Sequence, residues 1–338
     1  MEPHYQKPPA TRLPPGRKGD VMRVRAKSVA VCSLALLAVV GLSACNQLGM
    51  LSARRAWKEA NVFYRAQDYQ RAAQKYEEVL EGDPEGLPEA YFFLANSYDN
   101  LYRPARAGEP ENDQLLTRAV ENYRLASEKI PDPKMQRLSL QYLVAVFGPD
   151  KLNDPSQAEP VLLEMIESYP DEPENYFVLG RLYEDSAIYD AAEEMFLKAA
   201  EVRPNDSSVY TQLAAYYNRQ GEFDKTMEAL HRRVELEPTN PEAHYIIANY
   251  YEDKVRRDFR LENDLKKDYI TRGLEAVDQA IELKADYFEA ITYRGLLLRQ
   301  EALLETNRAR QEALIKEADG LAERARELQA RQVSGVGN

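Results

Sequence analysis

The chain has 338 residues, 30% of them charged, with 44 lysines and arginines against 56 aspartates and glutamates, a formal net charge of −12. An acidic balance of this size argues against a nucleic-acid binder, which needs a basic face. Only two cysteines, Cys32 and Cys45, are present, so neither a disulfide framework nor a cysteine metal site can be built.

Residues 1–21 are proline-rich and basic, a composition that reads as disordered. Met22-Arg23-Val24-Arg25-Ala26-Lys27 then precedes an uncharged apolar run from Ser28 to Ala44, the layout of a secretory signal, with Met22 a second candidate start. The run could also be read as an uncleaved membrane helix at the short end of the spanning range. It ends Leu42-Ser43-Ala44-Cys45, which resembles the lipobox of bacterial lipoproteins. That resemblance implies a leader of residues 1–44, cleavage before Cys45, a covalent lipid on Cys45 and no other cofactor. Asn46 in the next position, by the same resemblance, implies the outer membrane, with the body facing the periplasm. Removing residues 1–44 takes away seven basic and two acidic groups, leaving 37 against 54 and a net charge of −17. A short tether over 45–52 would hold the rest of the chain close to its membrane.

From Ala53 to about residue 300 the sequence repeats. The clearest copy reads Tyr176, Leu179, Gly180, Tyr183, Tyr189, Ala192, Phe196, Ala199, Pro204. Thirty-four residues on stand Tyr210, Leu213, Ala214, Tyr217, Phe223, Thr226, Leu230, Arg233, Pro238. Residues 176, 179, 180 and 183 share one helical stripe, and 192, 196 and 199 make the stripe of a second helix. Earlier copies carry Trp57, Ala60, Tyr69, Ala72, Tyr76, Pro84 and then Tyr91, Leu94, Ala95, Tyr98, Ala119, Tyr123, Ala126, Pro131. A third shows a clear second helix (Ala158, Leu162, Met165, Pro170), but Leu138, Tyr142, Leu143 and Val146 do not fix the register of its first. The sixth carries His244, Ile247, Ala248, Tyr251, Gly273, Val277 and Ala280, and a seventh first helix holds Ile291, Gly295 and Leu298. Proline, glycine and mixed charge mark insertions near 103–114 and 256–267, which read as loops. Leu314, Ala318, Leu321, Ala325 and Leu328 form an apolar stripe within 301–332, expected to be a C-terminal capping helix ahead of a frayed tail at 333–338.

The pattern resembles the tetratricopeptide repeat (TPR) family. It implies an all-α fold, a TPR α-solenoid coiled as a right-handed superhelix of six to seven helix-turn-helix units with a C-terminal capping helix. Such a hairpin cannot bury its apolar face alone, so neighbours must stack.

No catalytic motif is present: no G-x-S-x-G, H-E-x-x-H, phosphate-cradling glycine loop or G-x-G-x-x-G. Beyond the leader there are two histidines, His231 and His244, read as surface and packing residues. The chain is therefore expected not to be an enzyme. In the resembled family the first helices line a concave groove for a protein or peptide partner. The corresponding slots here hold Trp57 and Asn61, Phe92 and Asn96, Phe177 and Arg181, Tyr245 and Asn249. Aromatics supply buried area at interfaces, and asparagine can pair with an extended backbone. The same residues could instead be core aromatics and asparagines that brace neighbouring helices. No lysine occupies these slots, so the resemblance does not extend to a clamp for a terminal carboxylate. Lipobox plus array is similar to envelope TPR lipoproteins that serve β-barrel assembly, pilus secretin assembly or peptidoglycan hydrolase recruitment. The expected function is an envelope-anchored adaptor with a protein partner and no nucleic acid; the alternative is a structural element that binds itself or a sister subunit.

Overall fold

The structure is a computed structural model and describes residues 47–333. Residues 1–46, with Cys32 and Cys45, and the tail 334–338 lie outside the described residues, so the expected leader and lipidation site are not among them. Two compact units divide the chain between Asp154 and Pro155. Among the described residues there are α-helices, one 3-10 turn and no strand.

The first unit contains α1 (47–65), α2 (Tyr69–Gly82), α3 (Glu89–Leu101), the 3-10 turn Pro104–Arg106, α4 (Pro110–Lys129) and α5 (Pro133–Val146). The second contains α6 (Pro155–Ser168), α7 (Pro173–Asp185), α8 (Tyr189–Val202), α9 (Ser207–Gln220), α10 (Phe223–Leu236), α11 (Pro241–Arg257), α12 (Asn263–Leu283), α13 (Phe288–Leu304) and α14 (Arg308–Val333). Within each unit successive helices pack as antiparallel hairpins that stack on their neighbours. The division falls between α5 and α6, the two helices of the repeat whose register the sequence leaves open.

Chain reversal between hairpin helices is forced by single left-handed residues. Gln67, Ala187 and Gly221 all have positive φ, at 59°, 59° and 78°. Aspartate or asparagine then starts the next helix where the chain permits: Asp206 accepts from Ser208 N at 2.9 Å and Asn240 from Glu242 N at 3.0 Å. Between hairpins a second device recurs at the same 34-residue interval. The hydroxyl of Tyr176 donates to the Pro170 carbonyl at 3.1 Å, and that of Tyr210 to Pro204 at 3.0 Å. His244 Nε2 meets the Pro238 carbonyl at 2.9 Å in the equivalent place. The proline stops one helix, and the opening residue of the next hairpin satisfies the carbonyl left there.

Packing explains the abundance of tyrosine. Tyr76, Tyr123 and Phe196 are fully buried on second helices, against small residues on the first. A Cβ added to Gly180 would lie 3.0 Å from two ring carbons of Phe196, so only glycine fits without displacing the ring. Further out, the Tyr183 hydroxyl donates to Glu159 at 2.7 Å and the Tyr217 hydroxyl to Glu193 at 3.0 Å. Tyr98 makes the same link to Glu77. Each ties a first helix to the preceding second helix, with Lys225 completing the Glu193 cluster at 2.8 Å. Between the first helices α7 and α9, Glu184 accepts from Arg219 Nε at 2.9 Å, Arg219 Nη2 at 2.8 Å and Gln220 at 2.8 Å.

Several boundaries differ from the sequence reading. The insertion near 103–114 is a loop only as far as Glu109; from Pro110 it lengthens α4. Of 256–267, only 258–262 lie outside helix, and the remainder extends α11 and α12. Both insertions have ready helix starts or charged i,i+3 and i,i+4 pairs, such as Arg256 with Asp253 and Arg257 with Asp253, which support added turns. Repeat three is registered by Ser139, fully buried in the small slot, with its hydroxyl turned back to Met135 O at 2.7 Å. Phe147–Asp154 then forms a long connection in place of a tight turn. Residues 301–304 belong to α13, so the last helix begins at Arg308, and helix is already present from residue 47 in the stretch read as a tether.

Three glycine substitutions should separate these roles by denaturant unfolding. Gly180→Ala should destabilise by about 1–2 kcal/mol because overpacking against Phe196 outweighs the gain in helix propensity. Gly221→Ala should cost about 1 kcal/mol through its positive φ. Gly320→Ala, in α14 with nothing within 4 Å of the added Cβ, should stabilise by about 0.5–1 kcal/mol.

A pH dependence follows from the α7–α9 tie. Arg219 holds the Glu184 carboxyl below its usual range. A depressed folded-state pKa stabilises above the unfolded value of about 4.3 and is lost as pH falls through the folded value. Glu184→Gln should therefore lower stability at pH 7 by about 1 kcal/mol and flatten the decline between pH 5 and pH 3 in acid-unfolding curves.

Candidate partner-binding face

The eight slots named from sequence do not form one kind of surface. In the first unit Trp57 is half-buried, edge-on to Tyr76 at 5.6 Å and Phe93 at 5.8 Å. Asn61 turns inward: its Nδ2 donates to Trp57 O at 2.9 Å and its Oδ1 accepts from the Tyr76 hydroxyl at 3.0 Å. Phe92 is buried against Phe93, Tyr123 and Tyr142, with ring centroids 5.4–5.7 Å away. Asn96 is 5% exposed. Its Oδ1 accepts from Tyr64 at 2.6 Å and from Asn100 at 2.9 Å, and its Nδ2 donates to the Tyr123 hydroxyl at 3.1 Å. Phe92 and Asn96 are thus spent on packing. What this face presents outward is Asn100, with half-buried Trp57, Tyr64 and Phe93 beside it.

In the second unit Phe177 is also buried, 5.7 Å from the Phe196 ring. Arg181 is exposed and donates to Gln212 Oε1 at 2.8 Å, joining α7 to α9 on the first-helix side. Tyr245 is half-buried between Tyr287 at 5.4 Å and Tyr293 at 5.3 Å. Burial first, then those two phenols, push its hydroxyl up to about 12, while a hydrogen bond from Asn249 acts in the opposite sense. A charged strip missed by the sequence reading accompanies these residues: Glu184 with Arg219, and Asp253 with Arg256 and Arg257. The signal was available, since Asp185, Arg219 and Asp253 recur every 34 residues with alternating sign.

Other concavities lie outside these eight slots. One of about 610 Å³ runs between α8, α9 and α10, lined by Leu197, Tyr210, Leu213, Tyr217, Lys225 and His231 among others. Its lining includes no serine or cysteine. Burial and the Arg272 cation push the His231 imidazole below its ordinary range. A smaller one, about 460 Å³, has the corresponding place between α2, α3 and α4, around the Glu77, Tyr98 and Arg118 cluster. Among the described residues no group of three His, Cys, Asp or Glu side chains converges as a metal site. No described helix is long and apolar enough to cross a membrane.

Comparison with known proteins places the fold. No protein-family model matches the chain, and no curated protein matches it in sequence. Among solved structures, the C-terminal part of a TPR repeat-containing protein from Cytophaga hutchinsonii is similar over 80% of this chain and 98% of its own, at 15% identity and a TM-score of 0.52. A tetratricopeptide repeat protein from Parabacteroides merdae covers 79% of this chain and 99% of its own, at 15% identity and a TM-score of 0.42. YrrB, described as a TPR protein with an unusual peptide-binding site, covers 53% of this chain and 83% of its own, at 20% identity and a TM-score of 0.36. With its paired helices and 34-residue period, the chain has the all-α tetratricopeptide fold.

Proposed function

We propose that this chain is a non-enzymatic scaffold that recruits a protein partner along its first-helix faces and is held at the cell envelope by lipid on Cys45. The observation that carries the binding reading is the composition of those faces. Half-buried Trp57, Tyr64 and Phe93 flank exposed Asn100 in the first unit, and the Arg181, Glu184 and Arg219 strip lies in the second. Half-exposed aromatics beside amides offer stacking area and backbone pairing to an extended segment. Charges of alternating sign select a partner by complementarity more than they add affinity. The envelope part of the proposal rests on Leu42-Ser43-Ala44-Cys45 after a basic and apolar leader, with the outer membrane favoured by Asn46.

Site-specific photocrosslinking of the full chain in cells tests the binding face. A photoreactive residue at Asn100 or Arg181 should give a discrete protein adduct, whereas the same residue at Lys198 or Glu194, exposed on the second helix α8, should not. Equal adducts at all four positions would remove the first-helix face as the binding site, and adducts with a second copy of the chain alone would establish the self-associating alternative.

A further inference from the structure

The outward face of α1 combines exposed apolar residues with an excess of basic ones, in a chain that is acidic. With about 100° per residue, Ala53, Ala56 and Ala60 fall on one side of the helix, and all three are buried in the first unit. On the opposite side, within an arc of about 80°, stand Leu48, Leu51, Arg55, Lys58 and Val62. The three apolar members are 67%, 64% and 57% exposed. Arg54 and Arg65 border the same arc and are exposed too. Residues 47–65 carry four basic groups and one acidic, Glu59, in a chain whose overall charge is −12. Glu59 lies to the side, bridged to Arg55 and to Lys75 of α2.

Two other exposed regions have a different charge setting. Phe259, 86% exposed, sits where Lys254, Arg256, Arg257 and Arg260 are bridged to Glu252, Asp253 and Asp258, an excess of one positive charge against three in α1. The outer side of α14 alternates both signs, as in Arg308 with Glu312.

We infer that α1 is a membrane-surface helix: it lies against an anionic bilayer with Leu48 and Leu51 seated in the interface and Arg54, Arg55 and Lys58 at the lipid phosphates. An interfacial helix is recognised by this combination of an apolar strip with basic flanks, and basic residues add to attraction only where the surface is anionic. Position supports the same occupant. Residue 47 is two residues from Cys45, a reach of at most about 7 Å, so a lipid on Cys45 would deliver α1 to the bilayer. The inference rests on the envelope reading in that respect. An unpartnered first helix of a stacked array then needs no capping helix, because the membrane covers its open face.

The test uses the full chain carrying Trp57→Phe and Leu51→Trp, which leaves one indole, on the face in question. It is reconstituted with vesicles of phosphatidylcholine, or of phosphatidylcholine and phosphatidylglycerol at three to one, with and without brominated acyl chains. Bromine quenching of Trp emission should be strong in the anionic vesicles, weak in the neutral ones and reduced by salt. Adding Arg54→Glu, Arg55→Glu and Lys58→Glu should abolish the quenching, with a loss of roughly tenfold or more in its lipid dependence. These changes lie on exposed positions, and unchanged helical circular dichroism confirms the fold. Flotation of the chain with vesicles but no quenching would overturn this inference and leave the anchor intact. Failure to float at all would overturn both. Quenching that survives the charge reversal, or a dimer that Leu48→Asp dissolves, would assign the face to something other than an anionic surface.

Discussion

The close approach of two helices at Gly180 and Phe196 sets the terms for the second unit's hairpins. The ring carbons of Phe196 stand 3.0 Å from where a Cβ on residue 180 would be, so glycine here lets the ring lie undisplaced against the neighbouring helix. Phe196 is then close enough to stack on Tyr216 of α9, ring centroids 4.5 Å apart. One small residue therefore brings together both helices of a hairpin and the first helix of the next. A cluster of tyrosines, leucines and alanines grows outward from that contact through α11.

Substituting a phenol for the phenyl at this position changes what the partner face can be. Tyr76 and Tyr123 fill the slot of Phe196 in the first unit, and a buried hydroxyl needs a partner. Asn61 and Asn96 supply it, the first at 3.0 Å and the second at 3.1 Å. Both asparagines are drawn inward, and Asn96 is lost from the surface. Phe196 makes no such demand, and the corresponding slot holds Arg181, which stays outside. The alternation of aromatic and asparagine in the sequence was in this part a record of internal hydrogen bonding. Pairing each buried tyrosine with a polar residue before assigning the groove would have uncovered this, since the tyrosines and asparagines are both plain in the sequence.

The fold itself was legible because its signals are short-range and repeated. Spacing of Leu179, Gly180 and Tyr183, proline stops at Pro204 and Pro238, and small residues at Ala192 and Ala214 each have one local cause, and the 34-residue period repeats it. Insertions were harder, because proline and glycine mark a loop but do not show how far helix runs past it. Pro110 opens α4 at a position where a missing N–H costs nothing, so a residue that signals a break in one setting starts a helix in another. Repeat three was obscure for a similar reason. Ser139 takes the place of an alanine or glycine, and its hydroxyl is satisfied within its own turn, so nothing in its residue class announces a buried position.

Charge distribution connects the array's construction to its setting. The outermost helix of each unit has an apolar side to cover. At the C-terminal end α14 supplies the cover: Leu314, Ala318 and Ala325 are buried, and salt bridges such as Arg294 with Asp278 and Arg299 with Asp319 hold the region together. In the first unit α1 buries its alanines and leaves leucines and arginines outward. An acidic body repels an anionic surface, so on the membrane-surface proposal for α1 a helix of opposite sign would orient the chain as well as attach it.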